Sequence, residues 1–346
     1  MIHFESDYLE GCCPQILDAL RETNLEQTPG YGEDPHCEKA AGMIRYVFDC
    51  PDAEVHFLVG GTQTNATVIS SLLRPHQGVL CAESAHINVH ETGAVEHGGH
   101  KVLALPAPDG KISAAQVRHA LEAHQQDFSR EHIVQPGMVY ISFPTELGTI
   151  YSKQELTDLY AVCTEWDIPL FVDGARLGYG LEASGCDLLP KDIARLSDVF
   201  YVGGTKQGAL LGEAVVFTRP ALADDFRYLI KQNGGMLAKG RLLGLQYEVL
   251  MNEGLYFRLA RHADRLADRI RAAFRRKGVP FLVENTTNQI FPILDIDALD
   301  RLSAEFGVER WQTVGDGRAA VRFCTSWATA ESAVEALESY LDTNFN

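Results

Sequence analysis

A chain of 346 residues, 46% hydrophobic and 22% charged, has the composition of a globular protein long enough for two domains. Its formal charge of −17 at pH 7 argues against nucleic acid or an anionic membrane as partner. The amino-terminal "MIHFESDYLEG" has no apolar signal core, no apolar run reaches the ~18 residues of a spanning helix, and the eight cysteines contain no C-x-x-C pair. A reduced, cytoplasmic protein with free thiols is expected.

Five short apolar runs read as strands: "VHFLV" (55–59), "GVLCA" (78–82), "MVYISF" (138–143), "PLFVD" (169–173) and "DVFYV" (198–202). Their near-continuous apolar character suits parallel strands buried on both faces. Between them lie helical patterns, two of which open with a capping box, Ser113 with Gln116 and Ser152 with Glu155. Repeated βα units predict a mainly parallel sheet covered by helices. After about Gly235 the pattern changes. A long amphipathic helix ends at Gly278, followed by strand-like "NQIFPILDI" and "AAVRFCTSW" and a last helix, "TAESAVEALESYLDT". The expected architecture is α/β, with a large domain (1–249) and a small C-terminal α+β domain (250–346).

Ligands of open α/β sheets bind beyond the carboxyl ends of the strands. Four strands here end on chemically loaded stretches. "VHFLV" runs into "GGTQTN", where bare amides at a helix start, with Thr62 and Thr64, make an anion site or a plain β–α turn. "GVLCA" runs into "ESAHINVHE", part of a cluster holding His86, His90, Glu91, His97 and His100. His86 and His90 have the i, i+4 spacing of metal ligands on a helix, yet H-E-x-x-H is absent and no third ligand is fixed. The other reading is that His86 stacks on a ring.

"PLFV" ends on "DGARLGYG", placing Asp173 at a strand end and Arg176 three residues on. They could form a structural ion pair, or Asp173 could serve a protonated pyridine nitrogen. About one αβ unit later, "DVFYV" ends on "GGTKQG" and Lys206. A lysine among glycines in a dry crevice has its ammonium form disfavoured and becomes a usable amine nucleophile. Phosphate anchor, ring histidine, acid and amine in this order point to a pyridoxal 5′-phosphate enzyme of the aminotransferase-like fold (type I).

The chain also resembles the low-specificity L-threonine aldolases, within the threonine aldolase/β-eliminating lyase family. "SDYLEGCCPQILDAL", "GYGEDP", "GGTQTN", "SAHINVHETGA", "VDGARL", "GGTKQG" and "VRFCTSWAT" carry the resemblance in family order across nearly the whole chain. It implies Lys206 as the Schiff-base lysine, Asp173 as partner of the pyridine nitrogen, His86 as the stacking histidine, and Gly61 with Thr62 as the phosphate loop. Arg322, with Arg176 and Ser6, would hold the substrate α-carboxylate. Asn288 would line the site from the small domain. Tyr31 would reach the site of a neighbouring subunit in a homodimer or homotetramer.

Two departures stand out. Where many members carry a second histidine after the fourth strand, this chain has Thr145 and Glu146 in "SFPTELGTIYS", which leaves His86 as the expected base for the β-hydroxyl proton. Where the family has a phosphate-reaching arginine, this chain has "NGGMLAKGRLLG", with Lys239 or Arg241 as replacements. The expected reaction is retro-aldol cleavage of a β-hydroxy-α-amino acid, threonine, allo-threonine or a bulkier phenylserine-like one, to glycine and an aldehyde. The alternatives are another pyridoxal reaction (β-elimination, racemisation or transamination), a metal-dependent hydrolase built on the 86–100 histidines, and a non-catalytic pyridoxal-binding regulator.

Overall fold

The computed structural model describes residues 1–315 and 317–345. The chain opens with β1 (Ile2–His3), α1 (Pro14–Glu22) and α2 (Pro35–Val47). Next come β2 (Glu54–Leu58), α3 (Gly61–Leu72), β3 (Gln77–Ala82), the short helices α4 (His86–Val89) and α5 (Ala94–His97), and β4 (Lys101–Leu105). They are followed by α6 (Ala114–Gln126), β5 (Gln135–Ser142), α7 (Lys153–Glu165), β6 (Leu170–Asp173), α8 (Leu177–Glu182) and α9 (Pro190–Arg195). Two consecutive strands, β7 (Val199–Gly203) and β8 (Glu213–Phe217), precede α10 (Phe226–Gln232) and α11 (Arg241–Met251). The remainder is α12 (Leu255–Arg276), β9 (Gln289–Ile290), β10 (Ile293–Asp295), α13 (Ile296–Ser303), β11 (Phe306–Gly307), β12 (Glu309–Gly315), β13 (Arg318–Cys324) and α14 (Glu331–Asn344).

Strands β2 to β8 form one seven-stranded sheet in the order β2-β8-β7-β6-β5-β3-β4. All five runs read as strands from the sequence are in it, together with two that were not, β4 and β8. β8 pairs antiparallel with both β2 and β7, so the other six strands share one direction. The carboxyl ends of β2, β3, β5, β6 and β7 therefore open on one edge, and β8 begins there. Helices start as their residues dictate. In α6 and α7 the Ser113 and Ser152 side chains accept from the Gln116 and Glu155 amides, and both capping boxes are complete.

A second sheet carries β10, β13 and β12 in that order, with β9 also paired to β13, and β1 pairs parallel with β11. Helix α12 serves two cores. Leu255 and Tyr256 pack with the large-sheet core, whereas Leu266, Ile270 and Phe274 join Phe4, Ile290, Val321 and Leu337 in a separate cluster. Its end is set by Gly278, which takes a φ of +67°. The amino terminus belongs with that second cluster: β1 and Phe4 sit beside β11, and the chain crosses back at Ser6 and Asp7. That crossing brings residues 5–8 to the mouth of the large sheet's open edge.

Candidate active site

Lys206 sits in the turn between β7 and β8, and the setting of this turn explains its bare sequence. Gly174 lies so close to β7 that a Cβ there would come 1.9 Å from the Tyr201 carbonyl oxygen, and Gly208 takes a φ of +98°. Glycine is required at both places. The turn is pinned by its neighbours: the Tyr179 hydroxyl donates to the Lys206 carbonyl (2.6 Å), and Gln207 accepts from the Gly178 amide (2.9 Å) and the Tyr256 hydroxyl (2.9 Å). Glu213, the first residue of β8, accepts from the Gly204 amide (3.1 Å) and the Thr205 hydroxyl (2.9 Å). The backbone is thus fixed while the lysine side chain, half-buried, faces a cavity.

That cavity, about 340 Å³, is lined by Gly60, Gly61, Thr62, His86, Asp173 and Lys206, with Glu146, Tyr201, Thr205 and Glu213 completing its polar wall. All four strand-end stretches contribute residues to this one cavity. A smaller cavity of about 240 Å³ adjoins it and shares Tyr8, His86, Glu146 and Lys206; Arg176, Glu309, Trp311 and Arg322 form its far side.

Asp173 is buried at the end of β6, and both of its oxygens are satisfied. One accepts from the Tyr140 hydroxyl and from Asn65 Nδ2 (3.0 Å), the other from the Tyr201 hydroxyl and the Ala175 amide (2.9 Å). Burial works to raise this carboxyl, but the two tyrosine hydrogen bonds and the nearby His86 outweigh it and hold it below the usual carboxylate range. Asp173 is therefore a fixed anion. Its relation to Arg176 is not the ion pair that spacing allowed. Arg176 turns the other way and grips Asp7 with Nε (2.6 Å) and Nη2 (3.0 Å).

His86 Nδ1–H donates to Glu91 (2.8 Å), whose same oxygen accepts from Asn65 Nδ2 (2.8 Å). Asn65 therefore links His86–Glu91 to Asp173. Burial works to lower His86, and the Glu91 hydrogen bond with the Glu146 and Asp173 charges outweighs it, so His86 holds its proton above the ordinary histidine range. The other histidines disperse. His90 lies 5.6 Å from the His86 ring and 5.9 Å from Trp311, and His100 bonds the Gln77 carbonyl. Among the described residues, no three His, Cys, Asp or Glu side chains converge as a metal ion would need. The helix that would have carried His86 and His90 on one face is only four residues long.

At the end carried by the second sheet, Arg322 lies over the Trp311 ring (5.2 Å) and touches Glu309, Gln289 (3.4 Å) and the Glu5 carbonyl (3.2 Å). Its Nε is buried without a partner, and so is the hydroxyl of Ser6, the residue after Glu5. Asn288 stands behind this wall rather than in it. Its amide donates to Asp7 (2.9 Å) and to the Thr325 carbonyl (2.9 Å). Asp7, held down to about 2 although burial works to raise it, owes this to the charges of Arg176 and Lys206.

Ser6 and Asn288 line neither cavity, and Tyr31, Lys239 and Arg241 lie farther off. Tyr31 and Arg227 line a separate depression of about 330 Å³. Lys239 is exposed nearby and lines neither site cavity. Arg241 is engaged by the Thr23 carbonyl (2.6 Å) and Glu26 (3.5 Å). Of the pair standing where a second histidine was looked for, Glu146 lines both cavities, whereas Thr145 is buried against Thr149 (2.6 Å). Sequence reading missed Asp7, Asn65, Tyr140, Tyr201 and Glu213. Only Glu213 had a local signal, as the first residue after the lysine turn.

Pyridoxal 5′-phosphate fits these residues. Helix α3 starts at Gly61 with no side-chain cap, so its first amides are free for an anion. Asp173 is an ionised acceptor, His86 supplies a flat face, and Lys206 supplies the amine in the same cavity. At the adjoining end Arg322 lines the cavity and could meet a carboxylate, whereas Ser6 lines neither cavity.

Residues 3–297 match the family model described as β-eliminating lyase. The low specificity L-threonine aldolase of Pseudomonas sp. (strain NCIMB 10558) is 33% identical over 337 residues, covering 96% of this chain and 95% of that relative. A solved structure of Leishmania major threonine aldolase superposes with a TM-score of 0.96 at 43% identity, over 99% of both chains. An aspartate aminotransferase from Thermus thermophilus shares the fold (TM-score 0.72, 17% identity, 99% of this chain and 91% of that one). The chain belongs to the β-eliminating lyase family and, within it, to the threonine aldolases.

Proposed function

We propose that this protein cleaves β-hydroxy-α-amino acids to glycine and an aldehyde, with pyridoxal 5′-phosphate as cofactor. The observation that carries the reading is the meeting of Lys206, Asp173 and His86 in one cavity that continues into the Arg322 pocket. When bound, the cofactor supplies an electron sink for the pair released from Cα–Cβ. Lys206 would provide the amine that holds the cofactor. Asp173, ionised and locked by two tyrosines, would keep the cofactor's ring nitrogen protonated. Gly61 and Thr62 receive the phosphate at the start of α3.

Arg322 and Ser6 would bind the α-carboxylate and so orient the substrate at Cα, an orientation effect. Arg176 braces this end through Asp7. His86, positioned by Glu91, accepts the β-hydroxyl proton at Nε2, directly or through water. Tyr31 and Lys239, exposed outside their own chain's cavity, reach the cavity of a second copy in a homo-oligomer. Eight free thiols suit a reducing, cytoplasmic setting.

The test is product analysis with L-threonine and with phenylserine. Equal amounts of glycine and aldehyde are expected, and Lys206→Ala should lower the rate roughly 10⁴-fold or more. Keto acid with ammonia, a D-amino acid, or a transaminated cofactor as main product would replace aldol cleavage by elimination, racemisation or transamination.

A further inference from the structure

Glu213 is a charged residue type in a place that disfavours charge. It is 3% exposed, and its bonds come only from the Gly204 amide and the Thr205 hydroxyl. No ion pair reaches it among the described residues. Its strand position is telling. Glu213 pairs with Leu58 on one side and Gly203 on the other. It therefore stands between the strand that leads into Gly60–Thr62 and the strand that leads into Lys206, and it lines their common cavity.

The cavity wall carries three carboxyls, Glu146, Asp173 and Glu213, against Lys206 and His86. A doubly charged phosphate entering at the start of α3 would meet a surplus of like charge if all three were ionised. Asp173 is locked as an anion by its tyrosines. Glu213 is not: the titratable groups around it are Lys206 on its own turn, Asp173 on β6, Tyr201 on β7, Tyr247 on α11 and Tyr256 on α12. The adjoining residues of β2 and α3, Val59 to Thr62, bring no charge. Burial pushes the Glu213 carboxyl up to about 8, against the smaller opposing effects of Thr205, Lys206 and the Gly204 amide.

We propose that Glu213 holds the cofactor's phosphate as a neutral acid, donating its own O–H to a phosphate oxygen. The inference rests on the cofactor reading above. It makes cofactor holding proton-linked: once Glu213 ionises, the donor is lost and a negative charge appears beside the anion. A glutamine at this position would keep a donor and remove the linkage.

The test is equilibrium dialysis of the full chain, cleared of cofactor, against pyridoxamine 5′-phosphate, which forms no bond to Lys206. Pyridoxamine without its phosphate is the control. Between pH 7 and 9.5, the wild-type Kd for the phosphorylated probe should weaken, relative to Glu213→Gln, by up to roughly tenfold per pH unit beyond the titration point. Glu213→Gln should match the wild type near neutral pH, and Glu213→Leu should bind more weakly without the extra slope. Pyridoxamine should show no difference in slope between wild type and Glu213→Gln. Equal slopes for the phosphorylated probe, or much weaker binding by Glu213→Gln at pH 7, would overturn the proposal and leave the cofactor reading standing. Absence of binding by the wild type at every pH would overturn both.

Discussion

The two ends of the site are built on opposite plans. On the Asp173 carboxylate both oxygens are in use, with donors from Tyr140, Tyr201, Asn65 and the Ala175 amide. Beside Arg322, the Ser6 hydroxyl and Arg322 Nε are buried with nothing to bond. Buried polar groups are nearly always satisfied, so a saturated end is a finished part and an end with orphans is complementary to an absent group. The saturated end fixes the charge state facing the cofactor. The unpartnered donors would suit the substrate carboxylate of the proposed function.

Asp173→Asn is the sharpest break of the first half. It keeps the shape and removes the fixed anion, and kcat should fall roughly 10²–10³-fold, the range for loss of one preorganised electrostatic partner. A change under threefold would mean that the ring nitrogen is served by another group. At the other end, Arg322→Lys removes the fork and keeps the charge. The KM for the amino acid should rise roughly 10–100-fold, as 1.5–3 kcal/mol of charge-assisted bonding predicts. Cofactor affinity should stay unchanged; if it fell in parallel, the two ends would not be separate.

The pH profile tests the bridge between them. His86 holds its proton above the ordinary value because the hydrogen bond to Glu91 outweighs burial. The protonated ring cannot accept, so kcat/KM should rise with pH through a limb above about 6.5. Glu91→Gln removes the stabilising partner and should shift that limb to lower pH. An unmoved limb would assign it to a different group.

The smallest effects are on stability, and they should differ in sign. Asn65→Ala deprives Glu91 and Asp173 of a shared donor and should destabilise the cofactor-free protein by about 1–3 kcal/mol. Ser6→Ala removes an atom that has no partner, so the melting temperature of the cofactor-free protein should hold or rise while KM increases. A destabilised Ser6→Ala would show that its hydroxyl is already satisfied.

What could be read from the sequence divides along the same line. Residues whose roles follow from a strand end and a glycine turn were legible: Gly61, Thr62, Asp173 and Lys206 each follow an apolar run, and the sheet's direction delivers them to one edge. Residues whose roles come from pairing across the fold were not. Tyr140 and Tyr201 look like ordinary strand aromatics until β5 and β7 flank β6. Asp7 meets Arg176 only because the amino terminus crosses from the second hydrophobic cluster. β8 escaped because "EAVVF" directly follows another apolar stretch, and its antiparallel place between β2 and β7 is set by sheet pairing rather than local pattern. Tyr31 and Lys239 were legible only through resemblance, and within one chain they lie apart from the cavity.

The most direct test of the account is to load the protein with pyridoxal 5′-phosphate, reduce it with borohydride and map the labelled peptide by mass spectrometry. The account predicts a single pyridoxyl group, on Lys206, absent from Lys206→Ala. Label on Lys239 or another surface lysine, or none, would contradict it.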